Sequence, residues 1–196
     1  MSQGEKVAFF DFDGTLAHGD SLGPFLIKAC GVWVCLWAAA RSFWSMIVRR
    51  MPEDQRRTFF KESFLFYLLR GRSLSSLAPA IARMESYPRW IESSVAALRE
   101  HHRKGHRVVI ASGSLDLYMK AMLGNLPYDD IICTSMEKEG DILSGRMESG
   151  NCVRERKAEL VARYMEAKGG FDESWAYGNA PHDLPMMALM THRVVV

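Results

Sequence analysis

Asp11 and Asp13 stand one residue apart at the end of an apolar run, within VAFFDFDGTLAHGD. Two carboxylates that close repel, and each raises the other's pKa unless a positive group sits between them. A turn needing only hydrogen bonds could use Asn or Ser at lower electrostatic cost. The pair therefore points to a metal, a phosphate or proton transfer. Two more polar clusters also follow apolar runs: Ser112, Gly113 and Ser114 come after Val108, Val109 and Ile110, and Gly178, Asn179 and Asp183 come after residues 175–177.

The elements that must place these clusters follow from hydrophobic periodicity. Residues 6–11 read as a buried strand, because Val7, Ala8, Phe9 and Phe10 form a continuous apolar run bounded by a turn. From Asp20 to about Trp90 the spacing is helical. Leu22, Phe25, Leu26 and Ala29 share one face, and Pro52 with Glu53 and Asp54 marks a new helix start. That helix presents Phe59, Phe60, Ser63, Phe64, Tyr67 and Leu68 and stops at Gly71, and Leu74, Leu77, Ile81 and Met84 give the next. Residues 90–102 form a further helix, ended by Gly105.

Beyond Gly105 strands return. The spacing predicts strands at 106–111, 131–133 and 175–177, a hairpin turn at 138–141, and helices at 115–123, 154–167 and through Met187 and Met190. A last strand beginning at Arg193 reads as cut short. This alternation predicts an α/β fold with a parallel sheet covered by helices on both faces. Residues 20–92 interrupt it with helices alone, so they read as an inserted all-helical cap, and 1–19 with 93–196 form the catalytic core. All three polar clusters then fall at the carboxyl edge of the sheet, where ligands bind in open α/β folds.

The composition is that of an ordinary globular chain: 196 residues, 48% hydrophobic, 24% charged. The net charge of +2 hides an asymmetry, for residues 20–92 hold eleven Lys/Arg against six Asp/Glu. A basic segment beside an acidic remainder fits an anionic substrate or the surface of an anionic membrane, and no nucleic-acid partner is expected. Cys30, Cys35, Cys133 and Cys152 form no CxxC pair and read as reduced thiols. With no signal-peptide pattern at the N-terminus, they point to a cytoplasmic protein, with a peripheral contact to the inner membrane as an added reading.

The order DFDGTL, ASGS, a lysine and GN…D resembles the motif series of the haloacid dehalogenase superfamily, in particular its phosphoserine-phosphatase-like members with a helical cap after the first motif. The stretch GRMESGNCVRERK resembles the segment such enzymes carry before their lysine, which selects Lys157. The resemblance implies a Rossmann-like core and a Mg²⁺-dependent phosphomonoester hydrolase. Asp11 would be the nucleophile that forms an aspartyl-phosphate, and Asp13 the general acid and base. Ser112 and the N–H of Gly113 would hold phosphate oxygens at the start of the next helix. Lys157 would bridge Asp11 and the phosphoryl group. Mg²⁺ would take the Asp11 side chain, the Asp13 backbone carbonyl and the fourth motif, Asn179 with Asp183.

Three positions depart from that pattern. The fourth motif begins Gly178–Asn179 rather than Gly-Asp, which removes one charge from the metal set. Arg154 stands where glycine is usual. Asp20 occupies the place of a substrate-binding glutamate but is shorter. Its surroundings, DSLGPFL, resemble relatives with broader or lipid substrates, including bacterial phosphatidylglycerophosphate phosphatases, although capping a helix would serve equally. The alternative function is a weakly active phospho-ligand binder or membrane-associated protein that keeps the fold.

The remaining features divide between packing and contact. CGVWVCLWAAARSFWSMIVRR, residues 30–50, is long enough to span a bilayer, but Arg41 in its interior would cost about 2.5–3.5 kcal/mol there. It therefore packs in the cap core or forms an interfacial face bearing Trp33, Trp37 and Trp44. His18 reads as a loop histidine, His101, His102 and His106 as a basic helix end, and His182 as a neighbour of Asp183. Met186, Met187 and Met190 read as core.

Overall fold

The computed structural model describes residues 5–53 and 55–196. Strand β1 (Lys6–Phe10) lies at the centre of a five-stranded sheet, with β2 (Arg107–Leu115) and β3 (Asp130–Thr134) on one side and β6 (Glu173–Gly178) and β7 (His192–Val195) on the other. Every pairing in it is parallel. The apolar run of β1 is needed because both faces of the sheet are covered. Ala8 and Phe10 join one buried cluster with α5 (Glu92–Arg103) and α6 (Asp116–Leu123), while Val7 and Phe9 join a second with α7 (Arg154–Ala167) and α8 (Leu184–Met187). Met186, Met187 and Met190 belong to that second cluster.

The chain runs outward from β1 through β2 to β3, then resumes on the far side at β6. Strand order thus reverses beside β1, and a crevice opens at the carboxyl ends of β1 and β6 at such a reversal. The register carries one step past β1, where the Asp11 N–H donates to the Tyr177 carbonyl at 2.9 Å. Phe10 stacks on Tyr177 at 4.3 Å, and the Tyr177 hydroxyl meets His101 Nε2 at 3.0 Å. The strand end that bears Asp11 is thereby fixed from beneath.

Four helices separate β1 from α5: α1 (Leu22–Cys30), α2 (Val32–Val48), α3 (Arg56–Leu69) and α4 (Leu74–Ala82). Where the chain leaves and re-enters the core, the Ile91 N–H donates to Leu16 O and the His18 N–H to Arg89 O, both at 2.8 Å. The hairpin of β4 (Met136–Glu139) and β5 (Ile142–Met147) joins this helical layer instead of the main sheet. Gly71 N–H donates to Leu143 O and Leu143 N–H to Arg72 O, each at 2.8 Å.

Several expected boundaries shift for local reasons. The helix expected from Trp90 begins at Glu92, because Trp90 bridges to Ala17 and Ile91 is extended at that neck. The helix expected at Pro52 begins at Arg56, since Pro52 and Glu53 enter a turn closed by Gln55 N–H to Pro52 O; Asp54 lies outside the described residues. The apolar stretch 30–50 is not one continuous rod. Gly31, at φ 85°, breaks it, and α1 and α2 meet at a bend of 117°. The last helix ends at Met187 and continues to Met190 only as a turn.

His101 is 7% exposed, and burial holds its imidazole well below the usual range, at about 4, with the charges of His106 and Lys104 adding to the effect. Its folded pKa lies below the unfolded value of about 6.5, so the unfolded chain binds the extra proton between them. The stability this group contributes is therefore complete above about 6.5 and is lost as pH falls toward 4. Urea midpoints taken near pH 7 and near pH 4.5 should fall less in His101→Gln than in the parent. An equal fall in both proteins would show that His101 is not held neutral.

Candidate active site

The centre of the site is an ammonium between two carboxylates. Lys157 Nζ donates to Asp11 Oδ1 at 2.7 Å and to Asp183 Oδ1 at 2.6 Å, and the three side chains are almost wholly buried. Each comes from a different element. Asp11 follows β1, Lys157 lies in the first turn of α7, and Asp183 precedes α8. Burial lowers the Lys157 pKa, but the two carboxylates outweigh it and push it up to about 12. Burial in turn raises the Asp11 carboxyl against the pull of that ammonium. Thr15 Oγ1 donates to the other Asp11 oxygen at 3.3 Å.

Asp13 faces hydroxyls instead. Ser114 Oγ donates to Asp13 Oδ2 at 2.6 Å and Ser21 Oγ at 2.8 Å, while Ser21 also meets Ser114 at 2.7 Å and Tyr118 at 3.2 Å. Burial pushes Asp13 up to about 6, although both hydroxyl hydrogen bonds pull the other way. The two aspartates of DFD thus sit in unlike surroundings, one beside a cation and one beside neutral donors.

The fourth motif closes over the first. Asn179 Nδ2 donates to the Asp13 carbonyl at 3.1 Å, and the Asn179 N–H donates to Asp183 Oδ2 at 2.9 Å. This approach depends on two glycines. A Cβ on Gly14, which has φ 80°, would lie 2.7 Å from Asn179 Nδ2, and one on Gly178 would lie 2.6 Å from the Asp183 Cβ. Asp183, expected to share a metal, is held by these contacts. Both of its oxygens are engaged, one by Lys157 and one by the backbone of Asn179.

Among the described residues no three His, Cys, Asp or Glu side chains form a ready metal cage. The candidate set is mixed: the Asp11 and Asp183 carboxylates, the Asp13 carbonyl and the Asn179 amide. It consists of hard oxygen donors, and two carboxylates face a single ammonium with Asp13 close by, so surplus negative charge remains for a divalent cation to offset. The residues present fit Mg²⁺ in that sense, with less charge than an acidic fourth motif would bring.

Ser112 and Gly113 line a cavity of about 860 Å³ that also includes Asp11, Asp13, Lys157 and Asn179. They do not sit at a helix start as expected. Strand β2 runs on through Ser112, Gly113 and Ser114 to Leu115, and α6 begins only at Asp116, whose own carboxylate stands in its first turn. Ser112 Oγ accepts from the Ser114 N–H at 3.1 Å, which shapes the bend. Asp20 lines the same cavity and also accepts from the Gly23 N–H at 3.0 Å, so it both caps α1 and borders the site. Arg154, where glycine was expected, has φ 50°, a left-handed conformation unusual for a residue with a side chain.

Lys61 of α3 reaches down to the Gly113 carbonyl at 2.8 Å and to Asn151 Oδ1 at 2.6 Å, tying the helical layer to the β2 bend. Burial lowers its pKa to about 8. Sequence reading passed over Lys61, Ser21, Tyr118 and Asn151. Lys61 left a signal: it lies four and seven residues before Leu65 and Leu68, on the stripe that α3 buries. The others left none, because their contacts join residues far apart in the chain.

Removing one partner from a buried charge cluster leaves the others uncompensated and costs about 3–5 kcal/mol. Lys157→Met should lose stability on that scale in urea unfolding. Lys157→Met with Asp183→Asn should recover part of it, because one of the stranded charges is gone. Strictly additive losses in the double variant would show that the pair is not coupled.

Comparison with known proteins places this arrangement. The protein CicA of Caulobacter vibrioides is 29% identical over 201 residues, covering 96% of this chain and 85% of its own. A Bordetella pertussis Tohama I protein of unknown function superposes with a TM-score of 0.71 at 18% identity, over 97% of this chain and 89% of that one. A phosphoserine phosphatase, solved as a phospho-aspartyl intermediate analogue, superposes with a TM-score of 0.63 at 18% identity, over 97% of this chain and 86% of that one. A family model matches residues 8–188, a span that takes in the four helices between β1 and α5, most of β1, the whole of β2, β3 and β6, and every polar cluster described above; the chain belongs to the haloacid dehalogenase-like hydrolases.

Proposed function

We propose that this protein is a Mg²⁺-dependent phosphomonoester hydrolase that works through an aspartyl-phosphate on Asp11. The observation that carries the reading is the buried Asp11 carboxylate, paired with Lys157 at 2.7 Å, beside a second carboxylate of different environment in an open cavity. The phosphoserine phosphatase of similar fold, described as a phospho-aspartyl intermediate analogue, supports the same chemistry here.

In the first step an Asp11 oxygen attacks phosphorus, the P–O bond to the leaving group breaks, and Asp13 gives its proton to the departing alkoxide. In the second, Asp13 takes a proton from water as the water oxygen attacks phosphorus, and Asp11 leaves as carboxylate. A proton donor of pKa about 6 can do both, being neither permanently charged nor permanently protonated near neutrality. Lys157 holds Asp11 in place and offers its charge to the phosphoryl oxygens. Asp183 positions Lys157. Ser112 and Gly113, at the bend of β2, border the place where those oxygens would lie. Asp11, the Asp13 carbonyl, Asn179 and Asp183 would hold Mg²⁺, which when bound would offset the charge of carboxylate and phosphate together.

The cavity admits a small ester or the headgroup of a lipid phosphomonoester. Asp20 borders it, but with its carboxylate engaged by Gly23 it lacks the reach of a glutamate for a substrate amine. The second reading, a weakly active phospho-ligand binder, rests on Asn179, whose neutral amide gives a metal one charge fewer than aspartate.

The purified protein should hydrolyse an aryl phosphate with Mg²⁺ and stop when EDTA is added. Asp13→Asn should lower turnover by roughly two to four decades. Asn179→Asp should reduce the Mg²⁺ concentration needed for half-maximal rate. A folded, Mg²⁺-supplied preparation that turns over nothing in a broad panel of amino-acid, sugar and lipid phosphates would leave only the binder reading.

A further inference from the structure

Helix α2 is built with its small residues inward. Cys35, Ala38 and Ser42, spaced three and four apart, are its buried positions, and they let α3 approach closely. Its large apolar side chains point the other way. Trp33 is 80% exposed, Trp44 61%, and Trp37, Phe43, Leu36, Ile47 and Val48 are all more than half exposed. The cap-core reading of the tryptophans is thereby corrected. A surface helix of a globular domain turns its apolar stripe to the core, and a contiguous apolar patch of this kind marks a contact with a partner or a membrane.

Charge identifies the occupant. Residues 21–52 contain Lys28, Arg41, Arg49 and Arg50 and not one Asp or Glu. Arg41 lies over the Tyr67 ring at 5.8 Å and Arg49 over the Phe59 ring at 5.6 Å, so both cations are held toward the flank of α2 that meets α3. An apolar face on a segment whose own charges are all basic matches an anionic lipid surface, with tryptophans at the headgroup level. A second copy of the chain fits poorly, because a two-fold contact would set the same basic segment against itself with no acid in the stretch to pair it. No single described helix is long and apolar enough to cross a membrane, and α1 is fastened into the core by Phe25 and Leu26.

We propose that the outer face of α2 docks this protein peripherally on an anionic bilayer. The elements on either side of α2 border the active-site cavity, through Leu22 at the start of α1 and Glu53, Arg57 and Lys61 after it. The inference does not depend on the proposed activity, and its test uses no turnover.

The full chain should sediment with vesicles of phosphatidylglycerol and phosphatidylcholine, with a blue shift in tryptophan emission, and should release at high salt. Pure phosphatidylcholine should retain far less. Trp33→Ser with Trp37→Ser should weaken binding by at least about tenfold without changing the circular dichroism. Arg49→Glu with Arg50→Glu, which leaves the apolar face intact, should weaken binding to anionic vesicles selectively. Failure to bind anionic vesicles, equal binding to neutral ones, or a dimer in sedimentation that dissociates on the tryptophan changes would each overturn the proposal. Unfolding of Trp33→Ser alone would overturn it too, since that side chain would then be core.

Discussion

Two buried carboxylates meeting one ammonium is the constraint around which this molecule is arranged. Lys157 cannot be taken from water without Asp11 and Asp183 beside it. The rest of the core supplies the geometry. The reversal of strand order puts the ends of β1 and β6 side by side, and α7 and α8 aim their first turns at the gap. Gly178 has no side chain because the Asp183 carboxylate occupies the space a Cβ would need. Phe10 and Tyr177 stack beneath, so the strand end that carries Asp11 cannot rotate away without breaking a buried aromatic contact.

Asp13 shows how the same motif yields a different electrostatic result two residues on. Its side chain turns toward Ser21 and Ser114, neutral donors that stabilise an anion less than an ammonium does. Ser21 lies just before α1 of the helical layer, whereas Ser114 belongs to the core sheet, so the environment of Asp13 exists only where layer and core meet. Lys61, reaching from α3 to the Gly113 carbonyl, makes a second such junction. Motion of the helices relative to the sheet would alter both at once.

Much of the core was legible in the sequence because its signals are local. The apolar run of residues 7–10, the helix–strand alternation after Gly105 and the glycine turns each depend on neighbours a few residues apart. Asp11, Asp13, Asn179 and Asp183 could be singled out because charged and polar groups are costly at strand ends. The misplaced boundaries had long-range causes. Trp90 leaves its helix to pair with Ala17, and Ser112 to Ser114 stay in the strand because β2 still pairs with β3 at Leu115. Helix α2 was ambiguous for a clear physical reason: periodicity shows that the tryptophans share a side, but only the position of α3 decides which side is covered. Arg154 is the converse case, where the residue type suggested a departure and the backbone, at φ 50°, keeps the conformation that glycine prefers.

The proposed chemistry rests on the carboxylate that Lys157 holds. Acid quenching during turnover of an aryl phosphate, followed by peptide mapping with mass spectrometry, asks directly where the phosphoryl group resides. A phosphoryl adduct confined to Asp11, absent from Asp11→Asn, is the predicted result. An adduct on Asp13 or on Ser112, or turnover that persists undiminished in Asp11→Asn, would contradict it.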